Sequence, residues 1–241
     1  MTKADQKFIK QLQQKKYRKL HKAFVVEGLK SISDFLKAGF TPLHIYSTTI
    51  LDEQLYSDFE RITNRELRQI SFLKHPHNAL AVFKMKPVAG KIISADFILA
   101  LDNLQDPGNL GTIIRTADWF GIRQIVCSKD TVDCYNPKVV QATMGALANV
   151  SVIYTDLAVF LQETAKPVYG TFLQGDNIYK TVFPAQAVVV IGNEGNGIRP
   201  EIESLISRQI TIPKSSSAMA ESLNASVAAA VVMNEFFRQK F

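Results

Sequence analysis

Residues 187–198 read AVVVIGNEGNGI, a run of five apolar residues that ends directly in a loop of Gly, Asn and Glu. A strand that is apolar at every position is typical of a parallel sheet covered on both faces. Helices predicted near residues 108–120, 137–147 and 222–239 alternate with about six such strands, which are expected at 98–104, 124–128, 150–154, 168–173, 187–192 and 209–212. This alternation predicts an α/β fold with a parallel sheet.

The first 88 residues show a second, smaller alternation of helices and strands. Their spacing predicts helices at 3–20 and 29–38 and strands at 23–28, 42–47, 67–71 and 79–84. The segment KPVAGK at 86–91 has the Pro and Gly content of a linker. The chain is therefore expected to contain a small α/β domain at residues 1–88 and a larger domain at residues 93–241.

The net charge of +6 is unevenly distributed along the chain. Residues 1–90 contain 16 Lys and Arg against 8 Asp and Glu, whereas residues 91–241 contain 12 against 14. A basic segment of this kind is the usual electrostatic footprint of a phosphate backbone. An exposed, Lys-rich helix would have the same composition, so the charge permits an RNA partner without requiring one.

Several classes of protein are disfavoured by composition. No apolar run approaches the roughly 20 residues that span a bilayer, and the Lys-rich N-terminus does not resemble a signal peptide. Only two cysteines occur, which predicts neither disulfides nor a metal site and fits a cytoplasmic protein. All four histidines precede the linker, so the larger domain cannot hold a Ser-His-Asp arrangement. Its glycines form GxxGxG, which differs from the dinucleotide-binding fingerprint.

Polar residues follow three predicted strands of the larger domain, at the sheet edge where open α/β sheets bind ligands. The first cluster contains Asn109, which could simply cap a helix, and Arg115, which lies on an otherwise apolar helix and is expected to meet a buried anion or a ligand. The second is the Gly/Asn loop at 192–198. In the third, Ser222 is expected to cap the last helix and Asn224 to lie in its first turn.

In their order and spacing, these clusters resemble the three motifs of the SpoU (TrmH-type, SPOUT superfamily) RNA 2′-O-ribose methyltransferases. The segments are DNLQDPGNLGTIIRTADWFG at 102–121, VVVIGNEGNGI at 188–198, and IP at 212–213 followed by ESLNASVAAAVVMNEFFR at 221–238. Together they cover essentially all of residues 95–240. The front segment KAFVVEG at 22–28 looks like the ribosomal-protein-like substrate-binding domain of the rRNA branch.

The resemblance implies S-adenosylmethionine as methyl donor, RNA as substrate, a C-terminal SPOUT domain with a deep trefoil knot, and a homodimer that completes the active site across its interface. The positions that match family cofactor contacts are Leu173, Gly192, Asn193, Gly195, Ile212 and Leu223. Those that match catalytic and substrate-orienting positions are Asn109, Arg115, Glu194, Ser222 and Asn224. One departure is that Lys214 and Ser216 stand where the family usually has Met and Gly, in a loop about two residues longer.

A ribose 2′-hydroxyl is a weak nucleophile, so the expected task of the site is in-line positioning and the handling of one proton. The hypothesis is that Arg115 holds an RNA phosphate or assists deprotonation, while Asn109, Ser222 and Asn224 orient the hydroxyl. Three alternatives stay open: methylation of a base, a tRNA rather than an rRNA substrate, and an RNA-binding relative without activity. The separate N-terminal domain favours rRNA, here 23S rRNA, by resemblance.

Overall fold

A computed structural model describes residues 1–52, 56, 58–86 and 95–240. Contacts between Cα atoms divide it into two compact units. The first unit comprises the described residues of Met1–Pro87 together with Asp133–Asn149, and the second comprises those of Val88–Val132 and Val150–Phe241. Apart from Lys86, the predicted linker at 86–91 lies outside the described residues, and the domain boundary expected there stays a prediction.

The helices, in chain order, are α1 Lys3–Gln11, α2 Lys15–His21, α3 Leu29–Lys37, α4 Asn64–Ile70, α5 Pro107–Trp119, α6 Pro137–Ala142, α7 Leu157–Glu163, α8 Pro200–Glu203 and α9 Ala225–Arg238. The strands are β1 Ala23–Glu27, β2 Pro42–Ser47, β3 Glu60–Arg61, β4 Ala79–Lys84, β5 Phe97–Leu101, β6 Gln124–Ser128, β7 Ser151–Thr155, β8 Val168–Asn177, β9 Ala187–Ile191 and β10 Arg208–Thr211. Two 3-10 turns lie at Ala146–Ala148 and Ile178–Lys180.

The first unit is built on a four-stranded sheet in the order β1-β4-β2-β3. Strand β4 pairs antiparallel with β1 and β2, and β3 pairs parallel with β2. One face packs against α1 and α4 through a core that includes Ile9, Leu67 and Ile70. Because β1 is an edge strand, its free side needs cover, and α6 packs against it.

Two predictions for the first unit are wrong. The helix expected at 3–20 is two helices, because the buried guanidinium of Arg18 binds the carbonyl oxygens of Leu12 and Gln13 at 2.9 and 2.8 Å and thereby stabilises the break. The strand expected at 67–71 is α4. A reciprocal capping box between Thr63 and Glu66 starts this helix, and its apolar residues then face the sheet.

The second unit has a six-stranded sheet in the order β10-β8-β9-β5-β6-β7, in which every pairing is parallel. The predicted parallel sheet is therefore confirmed. The central strands β5 and β9 are fully buried and lie side by side, with Leu101 paired to Ile191 at their carboxyl ends. Successive strands fill the sheet in opposite directions from this pair, and the loops after β5 and β9 therefore begin next to each other, where such sheets bind ligands.

The helix predicted at 137–147 is shorter than expected. It ends at Ala142 because Met144 and Gly145 adopt positive φ angles of 52° and 98°. A single 3-10 turn follows at Ala146–Ala148. This segment had been assigned to the larger domain, but its contacts place it in the first unit, where α6 covers β1.

Candidate functional site

The loop after β5 begins with a buried carboxylate that the sequence analysis did not single out. Asp102 is fully buried, and its Oδ1 accepts hydrogen bonds from Nε and Nη2 of Arg199 at 2.9 and 2.6 Å. Its Oδ2 accepts from the backbone N–H of Arg199 at 2.9 Å. This pairing raises the pKa of Arg199 and joins the loop after β5 to the residue that follows the Gly/Asn loop. An Asp directly after an apolar strand was the available signal, because a buried carboxylate needs such a partner.

The loop after β9 is a tight turn closed by its own asparagine. The backbone of Asn193 exchanges hydrogen bonds with that of Gly197 at 2.8 and 3.0 Å, and the Asn193 Oδ1 accepts from the N–H groups of Gly195 and Asn196. Its Nδ2 donates to the carbonyl of Asn103 at 2.7 Å, which ties the two loops together. A Cβ at Gly192 would collide with the backbone of Gly197, so only glycine permits this approach.

A chain of three side chains connects the predicted motifs. The Nδ2 of Asn224 donates to the Oδ1 of Asn109 at 2.8 Å, and the Nδ2 of Asn109 donates to Oε1 of Glu194 at 2.9 Å. The Glu194 carboxylate also accepts from the backbone N–H groups of Gln105 and Asp106 at 3.4 and 3.3 Å. The structure thus brings together three of the five predicted catalytic residues, which come from three separate parts of the sequence.

The helix caps differ from the predicted ones, and the difference explains how this chain is held. Asp106 caps α5 by accepting from the N–H of Asn109 at 2.8 Å, so the Asn109 side chain does not cap the helix and is available for Glu194 and Asn224. The predicted cap Ser222 is exposed and lies before α9, which begins at Ala225. Asn224 is the cap itself, because its Oδ1 accepts from the N–H of Ser226 at 2.9 Å.

Arg115 lies outside this chain of side chains. It is exposed on α5, and among the described residues none forms an ion pair or hydrogen bond with its guanidinium. The expectation that it must meet a buried anion is therefore wrong, because water solvates the charge. The apolar residues of α5 face inward, whereas Thr112, Arg115 and Trp119 share an outer face on which Trp119 is 87% exposed.

The residues expected to contact the cofactor lie in or after β8, β9 and β10 and just before α9. Leu173 is in β8, and its carbonyl accepts from the Thr211 hydroxyl of β10 at 3.2 Å, so residue 173 and the start of the loop at Ile212 are neighbours. Leu173 and Leu223 expose 73% and 49% of their surface, and Ile212 is half-buried. Exposed apolar side chains beside a polar edge are suited to a ligand with both apolar and polar parts.

The three-residue chain has a defined chemical capacity. Asn109 uses its amide oxygen and one amide hydrogen within the chain, which fixes the orientation of an amide that is 9% exposed. Glu194 is exposed and retains free lone pairs, since a carboxylate offers about four acceptor positions. The arrangement can therefore orient a hydroxyl group and accept its proton or a hydrogen bond from it. In the part of the chain that the structure describes, three or more potential metal ligands do not cluster anywhere.

Comparison with known proteins gives three relatives of nearly full length. The chain is 29% identical to the 23S rRNA (guanosine(2553)-2′-O)-methyltransferase RlmP of Bacillus subtilis, over 93% of this chain and 92% of that protein. A TrmH-family protein of known structure from Porphyromonas gingivalis is 34% identical, covers 99% of both chains and superposes with a TM-score of 0.88. The AdoMet-bound rRNA methyltransferase from Sinorhizobium meliloti is 27% identical, with 100% and 97% of the two chains covered and a TM-score of 0.89.

The sheet and the conserved order of its loops define a class of RNA methyltransferases. Residues 96–234 match the model of the SpoU rRNA Methylase family, and residues 4–81 match that of the MRM3-like substrate binding domain. The chain belongs to the SpoU rRNA Methylase family. The predictions of an RNA 2′-O-methyltransferase and of S-adenosylmethionine as its cofactor are confirmed at this level. Among the described helices, none has the length and apolarity to cross a membrane.

Proposed function

We propose that this protein is a cytoplasmic enzyme that transfers a methyl group from S-adenosylmethionine to a ribose 2′-hydroxyl of 23S rRNA. The B. subtilis relative, which aligns along nearly the whole chain, is named for this reaction. A separate substrate-binding domain matched at residues 4–81 favours a structured rRNA. In this proposal residues 1–88 bind RNA, and residues 93–241 form a SPOUT methyltransferase domain with a deep trefoil knot.

The observation that carries the proposal is the hydrogen-bonded chain of Asn224, Asn109 and Glu194. Methyl transfer to oxygen requires a lone pair of the 2′-oxygen in line with the methyl carbon, while the carbon–sulfur bond breaks and the hydroxyl proton leaves. The locked amides of Asn109 and Asn224, with the hydroxyl of Ser222 nearby in sequence, orient the ribose. Glu194 accepts a hydrogen bond at the exposed end of the chain.

The residues present fit the cofactor that the family implies. S-adenosylmethionine supplies an activated sulfonium methyl group when it is bound. The apolar surface of Leu173, Ile212 and Leu223 would hold its adenosine part, and the tight turn that begins at Gly192 and includes Asn193 and Gly195 would form the adjoining wall. These positions lie at the carboxyl ends of neighbouring parallel strands, where such ligands bind.

Arg115 is proposed to hold a phosphate of the RNA or to assist loss of the 2′-hydroxyl proton. Its guanidinium is exposed and lacks a partner among the described residues, so it is free to contact an anion. Arg is suited to this role because its planar donors match phosphate geometry. The neighbouring Trp119 is 87% exposed and Val227 of α9 is 48% exposed. Apolar surface of this kind supports the proposed homodimer, in which these helices would be covered.

The proposal is tested by Arg115→Ala in single-turnover methylation of 23S rRNA taken from a strain that lacks the enzyme. The variant is expected to lose most of its turnover while calorimetry shows unchanged binding of S-adenosylmethionine. Arg123→Ala is the matched control, because Arg123 is an exposed arginine that pairs only with Asp118 on the surface. A near-normal rate for Arg115→Ala would refute its role. If wild-type enzyme leaves the ribose unmethylated, the proposed function fails.

A further inference from the structure

The first unit contains a cavity that the methyl-transfer reaction does not use. Its volume is about 260 Å³, slightly below the range of roughly 300–1,000 Å³ for pockets that hold drug-sized ligands. It is lined by β1, by the segment after α4 and by α6, all within the first unit. Its apolar walls include Val25, Phe72, Pro137 and Val140. A cavity of this size accommodates one planar ring system rather than a longer ligand.

A single acidic side chain, Glu27, lines this cavity. Glu27 is the last residue of β1 and is 7% exposed. Its carboxylate accepts hydrogen bonds from the Ser71 hydroxyl and, at 2.8 Å, from the backbone N–H of Phe72. Among the described residues, none forms an ion pair with it, although His77 lies close enough to favour its charge. Burial outweighs these contacts and raises the pKa of Glu27 above its ordinary value of 4.5.

The two contacts leave part of the carboxylate unused. A carboxylate offers about four acceptor positions on two oxygens, and Ser71 and Phe72 occupy one on each oxygen. Two acceptors therefore remain on a side chain that lines the cavity. A buried carboxylate without a cation partner costs free energy unless further donors reach it. The complementary ligand presents two adjacent N–H donors on a flat, otherwise apolar ring.

Guanine is the RNA base that meets this description, because its N1–H and N2–H groups lie side by side on the Watson–Crick edge. Sequence-specific RNA recognition mostly uses unpaired bases that are splayed out, stacked on side chains and hydrogen-bonded on such edges. Lys138 lines the cavity, is exposed, and has no ion-pair partner among the described residues. Lys74, next to the lining residue Leu73, is exposed as well. Both ammonium groups could neutralise phosphates beside an inserted base.

We propose that the cavity between β1 and α6 binds one unpaired guanine of the RNA substrate, with the Glu27 carboxylate accepting from N1–H and N2–H. The assignment rests on the proposed function in taking RNA as the partner. It adds a site of base recognition in the first unit, separate from the residues proposed to transfer the methyl group. Glu27 would select the RNA rather than take part in the reaction.

The test measures binding of labelled oligouridylates that carry one central guanosine, inosine or adenosine, by fluorescence anisotropy with the full chain. Inosine lacks the exocyclic amino group, so wild type is expected to bind guanosine about tenfold more tightly than inosine or adenosine, as one bidentate contact provides. Glu27→Gln should reduce this preference to less than about twofold. The amide still accepts from the Phe72 N–H and can donate to Ser71, so folding is retained.

Two further variants keep the test decisive. Glu163→Gln makes the same chemical change on an exposed part of α7 and should leave the guanosine preference intact. Ala142→Leu narrows the cavity and leaves Glu27 unchanged, so it should also weaken guanosine binding. The proposal is overturned if wild type shows no preference, if Glu27→Gln retains it, or if only free guanosine monophosphate discriminates. Because no methyl transfer is measured, failure here is distinct from failure of the proposed function.

Discussion

Glu27 ends β1 in the first unit, and Glu194 follows β9 in the second, so each unit places a carboxylate beside the end of a buried strand. Glu27 is buried, and its pKa is raised because water is excluded. Glu194 is exposed and accepts from Asn109, Gln105 and Asp106. The same residue type therefore meets a desolvated, apolar cavity in one unit and a solvated polar network in the other.

This difference separates recognition from positioning. A buried carboxylate with spare acceptors gains most from a ligand that brings its own donors, because such donors replace the lost water. An exposed carboxylate gains little from another hydrogen bond, but it can hold the Asn109 amide in one orientation for a reacting hydroxyl. Mutating each carboxylate should therefore affect different measurements.

The largest expected effect is on Glu194. Glu194→Ala removes the acceptor for the Nδ2 of Asn109 and frees that amide to rotate. Loss of one preorganised polar contact typically slows an enzyme by about 100-fold or more. The single-turnover rate of methyl transfer is therefore expected to fall about 100-fold, while the affinity for S-adenosylmethionine, measured by calorimetry, stays unchanged.

The matched control is Glu163→Ala, which removes an exposed carboxylate far along the sequence from the three motifs. It should change neither rate nor stability. Because Glu194 is exposed, its own replacement should alter the free energy of unfolding by less than about 1 kcal/mol. A large loss of stability with an unchanged rate would reverse the roles assigned to the two carboxylates.

The sequence predicted much of the second unit because its signals are local. Five or more consecutive apolar residues mark β5 and β9, and each run ends in polar residues that contain the motif positions. The order of strands and the fact that both loops leave one edge follow from parallel pairing. Asn109 and Glu194 could therefore be placed at the same edge from the sequence.

The contacts that complete the site were not predictable in this way. Asn224 lies 115 residues from Asn109, and Arg18 lies 115 residues from Asp133, whose Oδ2 it binds at 2.6 Å. Hydrophobic periodicity contains no information about such pairs, which depend on how the chain returns. It likewise could not show that α6 would pack against β1 and enclose Glu27. The capping box that starts α4 was visible as Thr63 and Glu66, but the short apolar run after it favoured a strand.

An intermediate effect is expected from Glu27→Leu, on stability. The apolar side chain leaves the Ser71 hydroxyl and the Phe72 N–H without their acceptor. Because both residues are only partly buried, the expected loss in the free energy of unfolding is about 1–2 kcal/mol. Urea unfolding of the full chain measures it, with Glu27→Gln as the control that retains an acceptor and should lose much less. Equal stability of Glu27→Leu and wild type would mean that the carboxylate contributes nothing to the unbound fold.

The smallest effect is a dependence of stability on pH. Burial raises the pKa of Glu27 in the folded state above 4.5, so below pH 4.5 both states hold the proton. As pH rises through the window up to the folded pKa, the unfolded chain ionises first and the folded state loses stability. Glu27→Gln cannot ionise. Its unfolding free energy should therefore gain on that of wild type across this window and run parallel above it, as urea titrations from about pH 4 to 8 would measure. Parallel curves throughout would show that Glu27 is no more desolvated than Glu194, and the contrast between the two units would fail.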